Sequence, residues 1–173
     1  MTNKTTFITG GARSGKSSFA EKLAIDIVGK RAYLATAQAL DPEMVERITH
    51  HRERRGKTWD TFEEPLAVAE LIAKLSGRYQ IVLLDCLTLW LSNVMARTES
   101  DKDIILQVGT LASAITTFDG VSIIVSNEVG LGIVPDNALA RRYRDLAGMM
   151  NQRIAQAADE VYLVTSGIPM KIK

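Results

Sequence analysis

Short apolar runs alternate with amphipathic stretches along the chain. Uninterrupted runs such as Ile-Val-Leu-Leu at 81–84 are typical of strands that are buried on both faces of a sheet. This pattern predicts strands at residues 5–9, 31–36, 81–84, 121–126 and 161–165. Because parallel strands need long crossover connections, their alternation with helices predicts an α/β fold with a mainly parallel sheet. Such sheets carry helices on both faces and bind ligands beyond the carboxyl ends of their strands.

Between the strands, apolar residues recur at the spacings of three and four that are typical of amphipathic helices. The predicted helices cover residues 17–28, 66–75 and 138–158, a stretch through Trp90 and Val94, and residues 104–115. Gly29 is the predicted C-cap of the first helix. Residues 98–103 are polar, and residues 127–137 contain glycines and a proline, so both segments are predicted loops.

A further helix is predicted to begin with Asp41 as its N-cap and Pro42 as its first residue, and to run toward Arg55. Its apolar stripe is expected to face the core. This stripe consists of Met44, Val45 and Ile48.

The eight residues that directly follow the first predicted strand match the phosphate-binding pattern G-x-x-x-x-G-K-[ST]. They are Gly10, Gly11, Ala12, Arg13, Ser14, Gly15, Lys16 and Ser17. The match lies between a predicted strand and a predicted helix, which is the context that the pattern requires. The glycines let the backbone approach oxyanions, Lys16 reaches the β- and γ-phosphates, and Ser17 is a ligand for Mg²⁺. The sequence therefore predicts a P-loop that binds a nucleoside triphosphate.

Asp85 ends the apolar run 81–84, so a buried strand delivers its carboxylate to the carboxyl edge of the sheet. With a P-loop upstream, an acid at this position is predicted to hold Mg²⁺. An aspartate in front of a helix is also a common N-cap. Both roles remain open for Asp85 at this point.

Composition is that of an ordinary globular protein. Of 173 residues, 46% are hydrophobic and 24% charged, and 21 Lys and Arg against 20 Asp and Glu leave a net charge of +1. No long-range field draws such a chain to nucleic acid or to anionic lipid. The length predicts one domain over residues 1–173. A single cysteine, Cys86, and the lack of a signal peptide or a membrane-spanning apolar run predict a cytoplasmic protein.

Both histidines of the chain, His50 and His51, lie in the helix predicted from Asp41. His50 shares the face opposite the apolar stripe with Arg47 and Arg54. A neutral imidazole beside guanidinium groups that bind phosphate could attack a phosphorus atom. The same pattern also fits a solvated basic face, and residue types alone do not separate the two interpretations. Adjacent histidines lack the spacing of a metal-binding pair.

Several segments, in order along the chain, resemble one known family. The P-loop is followed by Ala-Thr-Ala-Gln at 35–38, by the histidine-containing stretch 41–54, and by Asn-Glu-Val-Gly-Leu-Gly-Ile-Val-Pro at 127–135. Together they closely resemble the bifunctional adenosylcobinamide kinase and adenosylcobinamide-phosphate guanylyltransferase of cobalamin biosynthesis. The likeness continues through 141–151, 157–161 and 166–173, so it covers essentially the whole chain.

This resemblance implies that a histidine on the helix after the second strand receives GMP from GTP as a covalent intermediate. His50 is the matching position, and His51 is its neighbour. The resemblance also implies nucleotide contacts from the P-loop and from a further set of residues. These are Thr36, Ala37, Gln38, His51, Arg52, Glu53, Arg54, Glu63 and Asp85. Glu64 follows Glu63 directly, which leaves the choice between the two acids open.

The family resemblance implies two reactions and a RecA-like homotrimer. A nucleoside triphosphate, GTP or alternatively ATP, phosphorylates the hydroxyl on the aminopropanol arm of adenosylcobinamide in the presence of Mg²⁺. GMP from GTP is then transferred to that phosphate, which gives adenosylcobinamide-GDP and pyrophosphate. Lys16 and Ser17 suit the transfer of a γ-phosphoryl group, whereas the nucleotidyl transfer needs a nucleophile such as His50. To serve both reactions, the triphosphate would bind in two poses or the histidine helix would move.

Two other interpretations compete with this one. A plain P-loop metabolite kinase would use the P-loop and Asp85 and leave His50 structural. A regulatory nucleotide-binding module would need no small-molecule acceptor at all.

Overall fold

The computed structural model describes residues 3–38, 42, 45–46, 49 and 58–173. The strands of this part are β1 (Lys4–Thr9), β2 (Arg31–Ala35), β3 (Asp60–Glu63), β4 (Ile81–Asp85), β5 (Val121–Val125), β6 (Glu160–Thr165) and β7 (Ile168–Lys171). Its helices are α1 (Lys16–Ile25), α2 (Val68–Leu75), α3 (Leu87–Met95), α4 (Asp101–Thr117) and α5 (Ala138–Ala157). All five predicted strands and the five helices predicted within the described ranges are present, with boundaries that differ by a few residues.

The strands form one seven-stranded sheet in the order β3-β2-β4-β5-β1-β6-β7. The pairs from β3 to β6 are parallel, whereas β7 runs antiparallel to β6. The predicted mainly parallel sheet is therefore confirmed. Its centre is occupied by β4, β5 and β1.

Helices cover both faces of the sheet. In β4, Val82 and Leu84 join a core cluster with α2, α3, α4 and α5, whereas Ile81 and Leu83 join a second cluster with α1. Successive side chains of a strand point to opposite faces, so a strand between two helical layers is apolar at every position. This explains the uninterrupted run at 81–84 and confirms the predicted helices on both faces.

Helix α1 ends at Ile25, not at the predicted residue 28, and Gly29 is not its C-cap. The guanidinium group of Arg31 donates to the carbonyl oxygens of Ala24, Ile25 and Ile27 at 3.2, 3.1 and 3.0 Å. Two of these carbonyls belong to the last turn of α1, and the third lies just after the helix. Arg31 of the next strand thus binds the end of α1, a contact that the local sequence could not indicate.

Helix α4 begins at Asp101, so the predicted loop at 98–103 is too long. The Ser100 hydroxyl accepts a hydrogen bond from the Asp103 backbone N–H at 3.2 Å and caps the helix. Asp101 and Asp103 lie in the first turn, where the helix dipole favours negative charge. The polar composition of this segment marks the start of a helix.

The sequence pattern did not predict β3 and β7, which lie at the two edges of the sheet. β3 is mostly exposed and has an acid at each end, and β7 is exposed throughout and contains Pro169. Edge strands lack burial on both faces and tolerate charge and proline. The apolar runs that identified the central strands are therefore missing from these two.

Four positions of the helix predicted from Asp41 are described, namely Pro42, Val45, Glu46 and Thr49, and all four are helical. The Thr49 hydroxyl donates to the Val45 carbonyl oxygen at 2.9 Å, one turn away. Val45 was predicted to face the core, but it is 48% exposed, because no described element covers it.

No described helix is both long enough and apolar enough to cross a bilayer. The longest of them, α5, spans 20 residues and carries Arg141, Arg142 and Arg144 near its start. These charges alone make it a poor membrane span.

Candidate active site

The carboxyl ends of the parallel strands lie level with one another along one edge of the sheet. Glu63 of β3 is aligned with Ala35 of β2, and Ala35 with Asp85 of β4. Asp85 is in turn aligned with Val125 of β5, and Val125 with Ile8 of β1. The P-loop follows β1 directly, so it opens onto this edge. Open α/β sheets bind their ligands there.

The P-loop adopts backbone conformations that glycine tolerates best. Gly10 has φ +151° and Gly15, the N-cap of α1, has φ +97°. A Cβ on Gly10 would lie 2.2 Å from the Val164 carbonyl oxygen of β6. The Gly10 carbonyl oxygen accepts from the Glu128 N–H at 2.9 Å, so the loop is anchored to the segment after β5. Helix α1 begins at the end of the P-loop, and the N-terminus of a helix favours the binding of an anion.

Gly10→Ala is expected to destabilise the protein, because the new methyl group would collide with the Val164 carbonyl at an unfavourable φ. Such strain costs about 2–3 kcal/mol, which lowers the Tm of a chain of this size by about 4–10 °C. Gly11→Ala is the matched control, since a Cβ there meets nothing within 4 Å, and its Tm should stay within about 2 °C of the wild type. Equal Tm values for the two variants in calorimetry would contradict this account.

Lys16 lies inside the P-loop and is only 6% exposed. Its Nζ donates to the Gly11 carbonyl oxygen at 2.6 Å. Burial lowers the pKa of the Lys16 ammonium, and the nearby Cys86 and Asp85 act in the opposite direction. A cation held this way, with little solvent around it, is ready to exchange the carbonyl for a phosphate oxygen.

Two buried hydroxyls at the P-loop have no hydrogen-bond partner within the described part of the chain. They are Thr9 Oγ1 and Ser14 Oγ, on residues that are 8% and 9% exposed. A buried polar group without a partner costs about 1–3 kcal/mol. Phosphate oxygens would accept hydrogen bonds from both hydroxyls, so these side chains fit a bound triphosphate.

Asp85 ends β4 beside the P-loop and is half-buried. Its Oδ2 accepts a hydrogen bond from the Tyr33 hydroxyl of β2 at 2.9 Å. The N-cap of α3 is Cys86, so the alternative that Asp85 caps this helix is wrong. The carboxylate and the Ser17 hydroxyl at the start of α1 are oxygen donors of the kind that Mg²⁺ prefers.

The hydroxyl of Thr36, a predicted nucleotide contact, links the ends of β2 and β4. Its Oγ1 donates to the Cys86 carbonyl oxygen at 2.7 Å and accepts from the Cys86 N–H at 3.1 Å. The Asn93 amide donates to the Thr36 carbonyl oxygen at 2.8 Å. Thr36 is fully buried, whereas Ala37 is half-buried and Gln38 is exposed. Ala37 and Gln38 are thus more accessible to a ligand than the Thr36 hydroxyl is.

The two adjacent acids after β3 have different environments. Glu64 Oε1 accepts from the backbone N–H groups of Leu66 and Ala67 at 3.0 and 2.8 Å, ahead of α2. Glu63 is exposed and ends β3 at the level of Ala35. The Glu64 carboxylate thus binds the backbone ahead of α2, and the role of Glu63 as a nucleotide contact stays a prediction.

His50, His51, Arg52, Glu53 and Arg54 lie outside the described residues, and their predicted roles stay predictions. Within the described residues, no group of three His, Cys, Asp or Glu side chains is arranged to hold a metal ion. Ser17 and Asp85 offer two oxygen donors to Mg²⁺, which in phosphate sites also binds the phosphates of the nucleotide.

One protein family matches almost the whole chain. The family described as "Cobinamide kinase / cobinamide phosphate guanyltransferase" matches residues 6–172. The chain belongs to this family. The resemblance inferred from the P-loop, the segment 35–38 and the segment 127–135 is thereby confirmed.

Two bacterial proteins are similar to this chain over nearly its whole length. The chain is 44% identical over 172 residues to the bifunctional adenosylcobalamin biosynthesis protein CobP of Pseudomonas aeruginosa, covering 96% of this chain and 95% of CobP. It is 43% identical over 178 residues to the bifunctional adenosylcobalamin biosynthesis protein CobU of Escherichia coli, covering 96% of this chain and 98% of CobU. These matches leave no large part of either protein unaccounted for.

Solved structures confirm the P-loop NTPase fold of the RecA-like type. The RadB recombinase has a TM-score of 0.56 at 15% identity and covers 92% of this chain and 73% of its own. A type III secretion system ATPase has a TM-score of 0.60 at 11% identity and covers 94% of this chain and 51% of its own. At such identities the likeness concerns the fold alone.

Sequence reasoning missed three residues that the structure brings to this edge. Tyr33 contacts Asp85, Asn93 contacts Thr36, and the Glu128 backbone contacts Gly10. The sequence signal that could have identified Tyr33 is its hydroxyl group, which is unusual at the centre of an apolar strand. Glu128 lies in the segment 127–135 that carried the family resemblance, but no role had been inferred for it.

Proposed function

We propose that this chain catalyses both reactions in its family's description. It phosphorylates the hydroxyl on the aminopropanol arm of adenosylcobinamide with a nucleoside triphosphate. It then transfers GMP from GTP to the resulting phosphate and releases pyrophosphate. The observation that carries this proposal is the family match over residues 6–172, combined with a P-loop and an Asp85 that lie at the same edge of the sheet.

The P-loop suits the phosphoryl transfer. Phosphoryl transfer depends on positioning and on charge stabilisation more than on covalent chemistry. Lys16, the buried hydroxyls of Thr9 and Ser14, and the N-terminus of α1 all offer donors to the β- and γ-phosphates. These groups hold the triphosphate and neutralise charge on the phosphoryl group as it moves to the acceptor oxygen.

Ser17 and Asp85 are the residues that would hold Mg²⁺, directly or through water. When bound, the ion neutralises charge on the β- and γ-phosphates. The chain's contribution is to present these two oxygen donors at the same edge of the sheet, one at the start of α1 and one at the end of β4.

GMP transfer needs a nucleophile at the α-phosphorus, and we assign this role to His50 from the family resemblance. A neutral imidazole nitrogen of His50 attacks the α-phosphorus of GTP, and the bond to the β-phosphate oxygen breaks as pyrophosphate leaves. The phosphate of adenosylcobinamide phosphate then attacks the same phosphorus and releases the histidine. Arg52, Glu53, Arg54, Gln38 and Glu63 are the accompanying nucleotide contacts that the resemblance supports.

Tyr33→Phe is expected to weaken magnesium-dependent nucleotide binding, because the Asp85 carboxylate loses the hydroxyl that orients it. Loss of a partner that orients a metal ligand costs about 10–100-fold in metal affinity, so half-saturation should need about tenfold more Mg²⁺. Fluorescent nucleotide binding titrated with Mg²⁺ measures this shift.

Tyr79→Phe is the matched control for this measurement. Tyr79 donates an equivalent hydrogen bond to Asp60 at 2.8 Å, far from the P-loop at the amino-terminal end of β3. Its magnesium dependence should equal that of the wild type. A Tyr33→Phe variant with an unchanged magnesium dependence would remove Asp85, or its orientation by Tyr33, from the metal site.

Supplying the two acceptors separately tests the proposed function. Purified chain, Mg²⁺ and either GTP or ATP should convert adenosylcobinamide to its phosphate, and adenosylcobinamide phosphate with GTP alone should give adenosylcobinamide-GDP. Mass spectrometry identifies both products. Phosphorylation without GMP transfer would favour a plain kinase, and neither reaction would favour a nucleotide-binding module.

The family resemblance also supports a cytoplasmic homotrimer as the working form of the enzyme. Its small-molecule partners are then adenosylcobinamide, adenosylcobinamide phosphate and GTP, with ATP as a second candidate donor. Sedimentation equilibrium should give three times the 19.0 kDa mass of one chain. A monomer at working concentration would contradict the trimer.

A further inference from the structure

The segment after β5 leaves the sheet between the P-loop and Asp85. β5 lies between β1 and β4, and Val125 is aligned with both Ile8 and Asp85. The strand that carries the P-loop therefore flanks this segment on one side, and the strand that ends at Asp85 flanks it on the other. The first acid in this position is Glu128.

Hydrogen bonds fix Glu128 against the P-loop. Its backbone N–H donates to the Gly10 carbonyl oxygen at 2.9 Å, and the Ser126 N–H donates to the Ile8 carbonyl oxygen at 2.9 Å. On the other side, the Asn151 side-chain amide donates to the Asn127 carbonyl oxygen at 3.1 Å. The backbone of Glu128 is thus tied to the first residue of the P-loop.

The Glu128 carboxylate is held by one hydrogen bond and can accept further ones. Its Oε1 accepts from the Gly130 N–H at 2.8 Å, and the residue is half-buried. Its carboxylate makes no ion pair with a basic side chain in the ranges 3–38 and 58–173. An ionised carboxylate offers about four acceptor positions, so capacity remains for a proton from a bound hydroxyl.

The other acids considered for this role have different contacts or positions. Asp85 accepts from Tyr33 and is the candidate magnesium ligand. Glu64 caps the backbone ahead of α2, and Glu63 is separated from β5 by β2 and β4. Asp159 accepts from the Thr5 N–H at the opposite end of β1. Glu128 is the described acid that is both beside the P-loop and without an assigned role.

We propose that Glu128 is the general base of the phosphoryl transfer, an inference that rests on the proposed function. The acceptor hydroxyl oxygen bonds to the γ-phosphorus while the bond from that phosphorus to the bridging oxygen of the nucleoside diphosphate breaks. The hydroxyl proton passes to the Glu128 carboxylate and from there to solvent. GMP transfer has no such need, because its acceptor is a phosphate that is already ionised near neutral pH.

Glu128→Gln tests this assignment, because the amide keeps an oxygen for the Gly130 N–H but no longer takes a proton at working pH. The kcat of adenosylcobinamide phosphorylation should fall about 10²–10⁴-fold, with the nucleotide KM changed by less than about threefold. The acid limb of the wild-type pH–rate profile should disappear. GMP transfer to supplied adenosylcobinamide phosphate, measured in the same preparation, should fall by less than about threefold.

Asp136→Asn is the matched control, since Asp136 is an exposed acid in the same loop, and both of its rates should equal those of the wild type. Equal losses of both reactions in Glu128→Gln would overturn the proposal and give Glu128 a structural role in the P-loop. An unchanged kcat would overturn it as well. Failure of the proposed function is distinguishable, because then the wild-type chain itself would not phosphorylate adenosylcobinamide.

Discussion

Lys16→Met is expected to lower the rate of phosphoryl transfer to adenosylcobinamide by about 10²–10³-fold, the cost of removing one preorganised donor from a transition state. The Lys16 ammonium already lies inside the P-loop, 2.6 Å from the Gly11 carbonyl oxygen. No other described lysine or arginine is as deeply buried beside this loop. The rate with saturating γ-labelled nucleotide measures the loss.

The same substitution should leave the fold intact. Burial lowers the pKa of Lys16, which means that the fold disfavours its charge, so a neutral side chain of similar length should not reduce the Tm. Lys22→Met, at an exposed position in the last turn of α1, is the control and should keep its rate within about twofold. Wild-type activity in Lys16→Met would contradict the role of the P-loop in catalysis.

His50→Asn is expected to abolish covalent labelling of the chain by GTP that carries label at the α-phosphate. The label on the wild-type chain should be acid-labile and alkali-stable, as expected for a bond between nitrogen and phosphorus. GMP transfer should fall by at least about 10³-fold, since a nucleophile is removed. Phosphorylation of adenosylcobinamide should continue, because it uses the P-loop and not the histidine.

His51→Asn separates the two adjacent histidines and should keep the label. Denaturing gels of the three proteins after reaction in Mg²⁺ provide the comparison. Label that persists in His50→Asn, or that disappears only in His51→Asn, would refute the assignment of the nucleophile to His50.

The parts of the fold that could be predicted from the sequence are those fixed by burial on both faces. Residues 81–84 are apolar at every position because Val82 and Leu84 face one helical layer and Ile81 and Leu83 face the other. β3 and β7 lie at the edges, where no such pattern is needed, and they were missed. The carbonyls at the end of α1 accept hydrogen bonds from Arg31 of the next strand, a contact that helical periodicity could not predict.

The candidate site likewise contains features that the sequence predicts and features that it does not. The P-loop could be predicted because its chemistry and its glycines lie within eight consecutive residues. The bond from Tyr33 to Asp85 joins residues 52 positions apart, and Glu128 reaches Gly10 only because β5 inserts between β1 and β4. Such contacts follow from strand order, which periodicity does not encode. The roles of His50 and its neighbours rest on the family resemblance.

One measurement tests most directly whether this single chain performs both reactions. The purified chain is incubated with adenosylcobinamide, Mg²⁺ and GTP that carries distinguishable labels at the α- and γ-phosphates, at equal specific activity. The final corrinoid product should carry both labels in equal amounts, because one phosphate comes from the γ-position of a first GTP and the other from the α-position of a second. A product that carries the γ-label alone would contradict the account and leave a P-loop kinase.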